Sequence, residues 1–178
     1  MSHPKNPKPV LYFMAVAEKE KGVFLSIARS FEGDLGMIVL QGTPFDFSSF
    51  TTYYNEEMGK PLWKNFYFFE KLREPEFLPE LKHRCYQVER VTALPEGNRT
   101  VNIDPGYLNL AKVVLSTFKD YAHRIYLGNS VYAEVTLIYK ERCFQSLPWT
   151  YPDYKTPQTL EIFNKARVYY KKRIHAYR

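Results

Sequence analysis

The side chains with catalytic or binding chemistry gather late in the chain. From Asn102 to Asp153 stand Asp104, Lys112, Asp120, His123, Arg124, Glu134 and Asp153, interleaved with aromatic residues. Asp104, His123 and Glu134 are candidate general acids or bases, and Arg124 is a candidate holder of an anion. Lys112, Tyr126, Trp149 and Asp153 complete a set of ligand-binding candidates. An enzyme made from them would fix an anionic substrate on Arg124 and use a carboxylate as base. Plainer roles compete. Arg124 and Glu134 facing each other across a hairpin form an ordinary pair worth about 0.2 to 1 kcal/mol. His123 falls on the apolar face of that hairpin, where one hydrogen bond satisfies it. Asp104 can open a turn by accepting from its own backbone.

Other chemistries lack their motifs. No His-x-x-x-His or Cys-x-x-Cys spacing occurs, so no metal is expected and no cofactor is assigned. Gly59-Lys60 runs into proline without the spaced glycine of a phosphate loop, and no Gly-x-Gly-x-x-Gly is present. Gly-x-Ser-x-Gly is missing too. His83 lies two residues from Cys85 on a presumed helix, where the pair point to different faces. Cys85 and Cys143 have no cysteine nearby and read as reduced, buried thiols.

The elements that must position these residues follow from pattern. A chain of 178 residues can bury roughly 70% of its unfolded surface, and 15 Tyr with 13 Phe make aromatic rings the main core material. Pro9 to Val16 is an apolar run that fits a buried strand. Glu18 to Glu32 shows helical spacing of Val23, Phe24, Ile27, Ala28 and Phe31, ended by Gly33. Met37 to Leu40 is a second strand, broken by Pro44. Ser48 to Lys60 reads as a loop with one helical turn at Asn55 to Met58 and a stop at Gly59. Leu62 to Leu72 suits a strand covered on both faces, Pro75 to Leu94 an amphipathic helix, and Thr100 to Ile103 a fourth strand. This order, β-α-β-β-α-β, predicts an α+β fold with a ferredoxin-like core and helices on one face of an antiparallel sheet.

Beyond the core, Asp104-Pro105-Gly106-Tyr107 carries the residues of a type II turn. Val113 to Leu115 favour a strand. Ala122 to Tyr139 alternates as a hairpin whose loop is Gly128-Asn129-Ser130; the two apolar sets share a face only if Arg124 opposes Glu134 and Tyr126 opposes Tyr132. Pro148 to Tyr154 is extended and aromatic. Thr156-Pro157 then starts a helix to the C-terminus, with Leu160, Phe163, Tyr170, Ile174 and Tyr177 on its docking seam. The whole, 1–178, reads as one α+β domain with 1–8 as a flexible N-terminus.

Several of these segments together are specific. Asn102 to Leu108, Lys119 to Gly128, Val131 to Leu137 and Pro148 to Tyr154, with Pro44-Phe45-Asp46-Phe47 and Tyr53 to Gly59, resemble an uncharacterised bacterial family known as a domain of unknown function, family 4416. The resemblance runs over nearly the whole chain and brings no activity, cofactor or catalytic residue with it.

Partners are read from charge. The formal charge is +6, and Pro157 to Arg178 alone hold six Lys or Arg against one Glu. Basicity is thus local to the last helix, where cations also complement the helix dipole. No apolar run reaches the roughly 18 residues of a membrane span, and the polar, proline-rich start lacks the apolar region of a signal peptide, so a soluble, cytoplasmic protein is expected. Two functional readings result. In the first the protein is a binding module for an anionic ligand: a nucleotide, a phosphate-bearing metabolite or RNA stacked on sheet aromatics. In the second it is an enzyme acting on an anionic substrate with a carboxylate, His and Arg site.

Overall fold

The computed structural model describes residues 3–176. In chain order its elements are β1 (Val10–Glu18), α1 (Val23–Ile27), α2 (Glu32–Leu35), β2 (Ile38–Gln41), β3 (Phe45–Asp46), α3 (Asn55–Met58), β4 (Trp63–Arg73), α4 (Leu78–Val91), β5 (Val101–Leu108), β6 (Lys112–Thr117), β7 (Ile125–Gly128), β8 (Val131–Lys140), β9 (Cys143–Ser146) and α5 (Pro157–Ala176). The described strands form one antiparallel nine-stranded sheet ordered β2-β4-β1-β5-β6-β8-β7, with β3 on β4 and β9 on β8.

Helices cover both faces of this sheet, which corrects the expectation of one. β1 is buried along all nine residues and alternates between two cores. Val10, Tyr12, Met14 and Val16 pack toward α1, α2 and α4, against Phe24, Leu35, Leu78, Leu81 and Cys85. Leu11, Phe13 and Ala15 face α5, against Phe163, Ala166 and Tyr170. A strand covered on both sides has no polar face to show, hence its unbroken apolar run. Aromatic rings dominate both cores: Phe163 meets Phe13 at 5.0 Å, Phe66 at 5.2 Å and Phe68 at 5.4 Å, each edge to face.

Local differences have local causes. Glu18 to Glu32 is not one helix; Glu18 ends β1 and its carboxylate accepts from the N–H groups of Gly22 and Phe24, both at 2.8 Å, while Gly33 lies inside α2 and the chain turns at Gly36, φ 73°. Val91, in the last turn of the amphipathic helix α4, is 86% exposed, whereas Glu89 in the same turn is buried. Cys143 is exposed on the edge strand β9, and only Cys85 is a buried thiol.

The Asp104 turn does not form. Asp104 to Tyr107 run straight through β5, paired with β1 from Ala15↔Asp104 to Tyr12↔Tyr107. Gly106 serves close packing instead: a Cβ there would lie 2.4 Å from the Val114 carbonyl oxygen and 2.6 Å from the Phe13 ring, which covers it.

In the hairpin, Tyr126↔Tyr132 and Ile125↔Ala133 pair as the face argument requires. Its loop is shorter than expected. Gly128 pairs with Val131, leaving Asn129 and Ser130 at φ 51° and 60° as a tight turn, and Leu127 is the extra residue of a bulge. β7 is an edge strand without a layer over it, so Ile125 and Leu127 are exposed, not core. The seam of α5 is Ile162, Phe163, Ala166, Tyr170 and Ile174, with Leu160 partly buried; Tyr177 lies outside the described residues. No helix among the described residues is long and apolar enough to cross a membrane.

Candidate functional site

A cavity opens where β6 leaves β5. The two strands pair only at Gly106↔Leu115, Tyr107↔Val114 and Leu108↔Val113. The next rung would need an N–H from Pro105, which has none. Ser116 Oγ donates to the Pro105 carbonyl instead, at 2.7 Å. Past that point Ile103 pairs with Val16 of β1 but has no strand on its other side, where α4 takes the strand's place. Glu89 Oε1 accepts from the Ile103 N–H at 2.6 Å, and Lys82 Nζ donates to the Ile103 carbonyl at 3.2 Å. Both backbone groups are thereby satisfied by side chains seven residues apart on one helix.

The cavity encloses about 470 Å³. Its walls are the loop through Phe47, Phe50, Tyr53 and Tyr54, the end of β6 through Phe118 and Lys119, and the segment Tyr151 to Tyr154. Residues directly opposed in the sheet share a face, so Lys64, Ala17 and Asn102 form one row and Phe66, Ala15 and Asp104 the next.

Paired charges line the interior. Lys64 Nζ donates to Asp153 Oδ2 at 2.6 Å, with the side chains 9% and 3% exposed. Lys82 Nζ reaches Asp104 Oδ1 at 2.8 Å, and Asn102 Nδ2 donates to the other Asp104 oxygen at 2.9 Å. Asp104 lines the cavity and keeps 28% of its side-chain surface open. Burial alone would raise its pKa, but Lys82, Lys64 and Asn102 together outweigh burial and hold the carboxyl below its ordinary range; Lys82 is raised in turn because Asp104 and Glu89 together more than offset its burial. Glu89 goes the other way. Burial lifts it above the usual range despite Lys82 and the Ile103 N–H. Arg99 forks onto Glu57 at 2.6 and 2.7 Å and also donates to Asn102 Oδ1 at 2.7 Å and Glu89 at 3.3 Å. Arg124 donates to Glu134 Oε2 at 2.9 Å, the Lys119 carbonyl at 2.9 Å and the Tyr151 hydroxyl at 2.7 Å.

Of the sequence candidates, Asp104, Arg124, Glu134 and Asp153 line this cavity together. His123 stands behind them: its Nε2 is 3.0 Å from Glu134 Oε2, and its ring stacks on Trp149 at 5.2 Å and 15°. Trp149 turns away from the cavity, donating to the Val135 carbonyl at 2.8 Å, so only the Tyr151 to Tyr154 part of the aromatic segment shares a wall with Asp104. Tyr126 packs on Tyr132 at 5.2 Å on the exposed hairpin, and Lys112 sits at the far end of β6; neither reaches the cavity.

Lys64, Lys82, Glu89, Arg99 and Tyr154 escaped the sequence reading. A signal existed for three of them. Lys82 and Glu89 fall on the same helical stripe as Leu78, Leu81 and Cys85, and Lys64 interrupts an aromatic strand buried on both faces. A charge on a buried face must have a partner. Arg99 lies in a loop and Tyr154 among many aromatics, where nothing local distinguishes them. Among the described residues no group of three or more His, Cys, Asp or Glu could hold a metal ion.

An antiparallel sheet between helical layers, split to hold an aromatic-walled and ion-paired cavity, defines an α+β protein. The chain belongs to the family described as Domain of unknown function (DUF4416), which matches residues 8–170. No curated protein and no solved structure matches it.

Proposed function

We propose that this single domain is a binding module for one small anionic ligand carrying a planar ring, such as a mononucleotide or a comparable phosphate- or carboxylate-bearing metabolite. The observation that carries the reading is the lining itself. Lys64, Lys82, Arg99 and Arg124 are each paired with a carboxylate, Asp153, Asp104, Glu57 and Glu134, whereas Lys119 has none among the described residues, and the walls are Phe and Tyr rings. A cation without a counter-charge favours an anion, and an aromatic lining suits a flat ring. Lys119 supplies a rim contact, with its Nζ 2.8 Å from the Tyr53 hydroxyl and 4.0 Å from that ring's centre.

A cavity of this volume favours a single metabolite over a strand of RNA. Cations of α5 are partly occupied as well: Lys165 pairs with Glu161 at 2.6 Å, and Arg167 donates to the Leu110 carbonyl at 2.8 Å. Acid and base catalysis by Asp104, His123 and Glu134 has less support, because Lys82 and Arg124 hold both carboxylates and His123 lies outside the lining. The order β2-β4-β1-β5, with α1 and α4 on one face, supports a ferredoxin-like core extended by β6 to β9.

Calorimetric titration with matched probes tests the reading: adenosine monophosphate against adenosine, nicotinate against nicotinamide, and an RNA oligomer. An anionic small molecule should bind at least tenfold more tightly than its neutral partner, and Lys119→Ala should weaken it. If no small probe binds, or only the RNA does, the reading fails.

A further inference from the structure

Tyr154 holds the one buried side-chain polar atom among the described residues that lacks a hydrogen-bond partner, its hydroxyl. Such an orphan is costly and rare in native proteins. The ring cannot turn to find a partner: it is fully buried, edge-on to Phe66 at 5.1 Å and tilted against Phe163 at 5.8 Å. Tyr154 lines the cavity, and the groups whose charges bear on its hydroxyl, Asp153, Asp104, Glu134 and Tyr151, line it too.

Beside it stands Lys64, its Nζ 5.0 Å from the centre of the Tyr154 ring. An ammonium has three donors. Lys64 spends one of them, on Asp153 Oδ2. Tyr154 and Lys64 thus line one cavity with a buried O–H that has no acceptor and an ammonium that hydrogen-bonds one acceptor and otherwise lies over the Phe47 and Tyr154 rings, while each nearby carboxylate already has a cation: Asp153 has Lys64, Asp104 has Lys82 and Glu134 has Arg124. Burial keeps the phenol protonated, as a donor must be. Other lining rings are open to solvent, Tyr53 at 64% and Phe118 at 36% exposure.

We infer that Tyr154 and Lys64 form the recognition point for an anionic oxygen of the ligand, a phosphate or carboxylate oxygen, so that the ligand enters charged end first and leaves its ring between the aromatic walls at the mouth. This rests on the binding reading above and fixes the ligand's direction within the same cavity.

Tyr154→Phe removes the hydroxyl and keeps the ring. If the hydroxyl waits for a ligand, the ligand-free variant melts at or above the wild-type temperature, since no internal bond is lost. Affinity for the anionic probe that binds wild type then falls about ten- to a hundredfold, the worth of a hydrogen bond to a charged group. Adenosine monophosphate and nicotinate separate a phosphate from a carboxylate as the group received. An unchanged affinity in Tyr154→Phe for a probe that binds wild type overturns the inference and leaves the binding reading intact. So does a ligand-free variant that melts several degrees lower, because the hydroxyl would then have a structural partner. Failure of every probe to bind wild type overturns both.

Discussion

Glu89 Oε1 lies 2.6 Å from the backbone nitrogen of Ile103, so a helix side chain occupies the place that a neighbouring strand would take in the sheet. The bond puts a carboxylate in surroundings that raise its pKa above the ordinary 4.5, with burial outweighing Lys82 and Arg99. A carboxyl whose folded pKa is raised stabilises the fold fully below its unfolded pKa and loses that contribution as pH rises through the folded value. Gln mimics the protonated form and still offers an oxygen to Ile103. Glu89→Gln is therefore expected to melt like wild type near pH 3.5 and above it at pH 7. Thermal melts across that range check the sign, and a variant that loses stability only on the neutral side contradicts it.

The buried pair of Lys64 and Asp153 gives a larger effect. With the two side chains 9% and 3% exposed, Asp153→Asn leaves an ammonium without its counter-charge, at a cost of about 3 to 5 kcal/mol. Replacing both partners by apolar residues, Lys64→Met with Asp153→Leu, should return most of that loss, because the desolvation of two charges disappears together. Urea unfolding of the single and double variants measures it. A double variant no more stable than Asp153→Asn would show that the pair is not what sets the cost. The same double variant should lose ligand binding, since Lys64 is gone.

Gly106→Ala tests the packing that bounds the cavity. The added Cβ would meet the Val114 carbonyl oxygen at 2.4 Å and the Phe13 ring at 2.6 Å. One of these is backbone in the adjacent strand and cannot rotate away. A loss of roughly 1 to 3 kcal/mol is expected, and trimming the ring with Phe13→Leu should not recover it, because the carbonyl clash remains. Recovery on trimming would assign the strain to the ring alone.

How much of this was legible in the sequence depended on the range of the interactions. The strands around Val10 to Val16 and Leu62 to Leu72, the helix after Pro75 and the turn at Asn55 to Met58 were set by local pattern and formed where that pattern put them. Asp104-Pro105-Gly106-Tyr107 misled because the same residues that favour a type II turn also suit a strand whose neighbour departs at proline and whose glycine lies under Phe13. β9 was missed since its pairing with β8 reverses through Glu141 and Arg142, φ 52° and 66°, residues not typical of such a turn. Within the site, Arg124 and Glu134 could be paired by register, while Lys64 and Asp153, 89 residues apart, met only through the fold. The hydroxyl of Tyr154 had no sequence signal, because an unmade hydrogen bond is visible only once every neighbour is placed.

The fork from Arg99 to Glu57, 2.6 and 2.7 Å, ties α3 and with it the loop of Phe50, Tyr53 and Tyr54 that forms one wall of the cavity. α3 is a single turn with only Met58 buried, so little else anchors it. Hydrogen bonds from Arg99, partly offset by burial, hold the Glu57 carboxyl below its ordinary range. A depressed folded pKa contributes stability above the unfolded value, about 4.3, and that contribution is lost as pH falls through the folded one, so the tie is intact at neutral pH. Glu57→Gln should remove it at all pH values. Both side chains are about a quarter to a third exposed, which limits the tie to about 1 kcal/mol after screening. Amide exchange over residues 47–58 is then expected to quicken about fivefold at pH 7, with exchange in β1 and β4 unchanged, the central strands being protected by global stability. Wild-type protein at a pH below the folded value of Glu57 should approach the exchange pattern of the variant in this loop. Equal quickening in β1 and β4 would mean that the substitution loosens the whole fold and that the Arg99 fork is not a local anchor of the cavity wall.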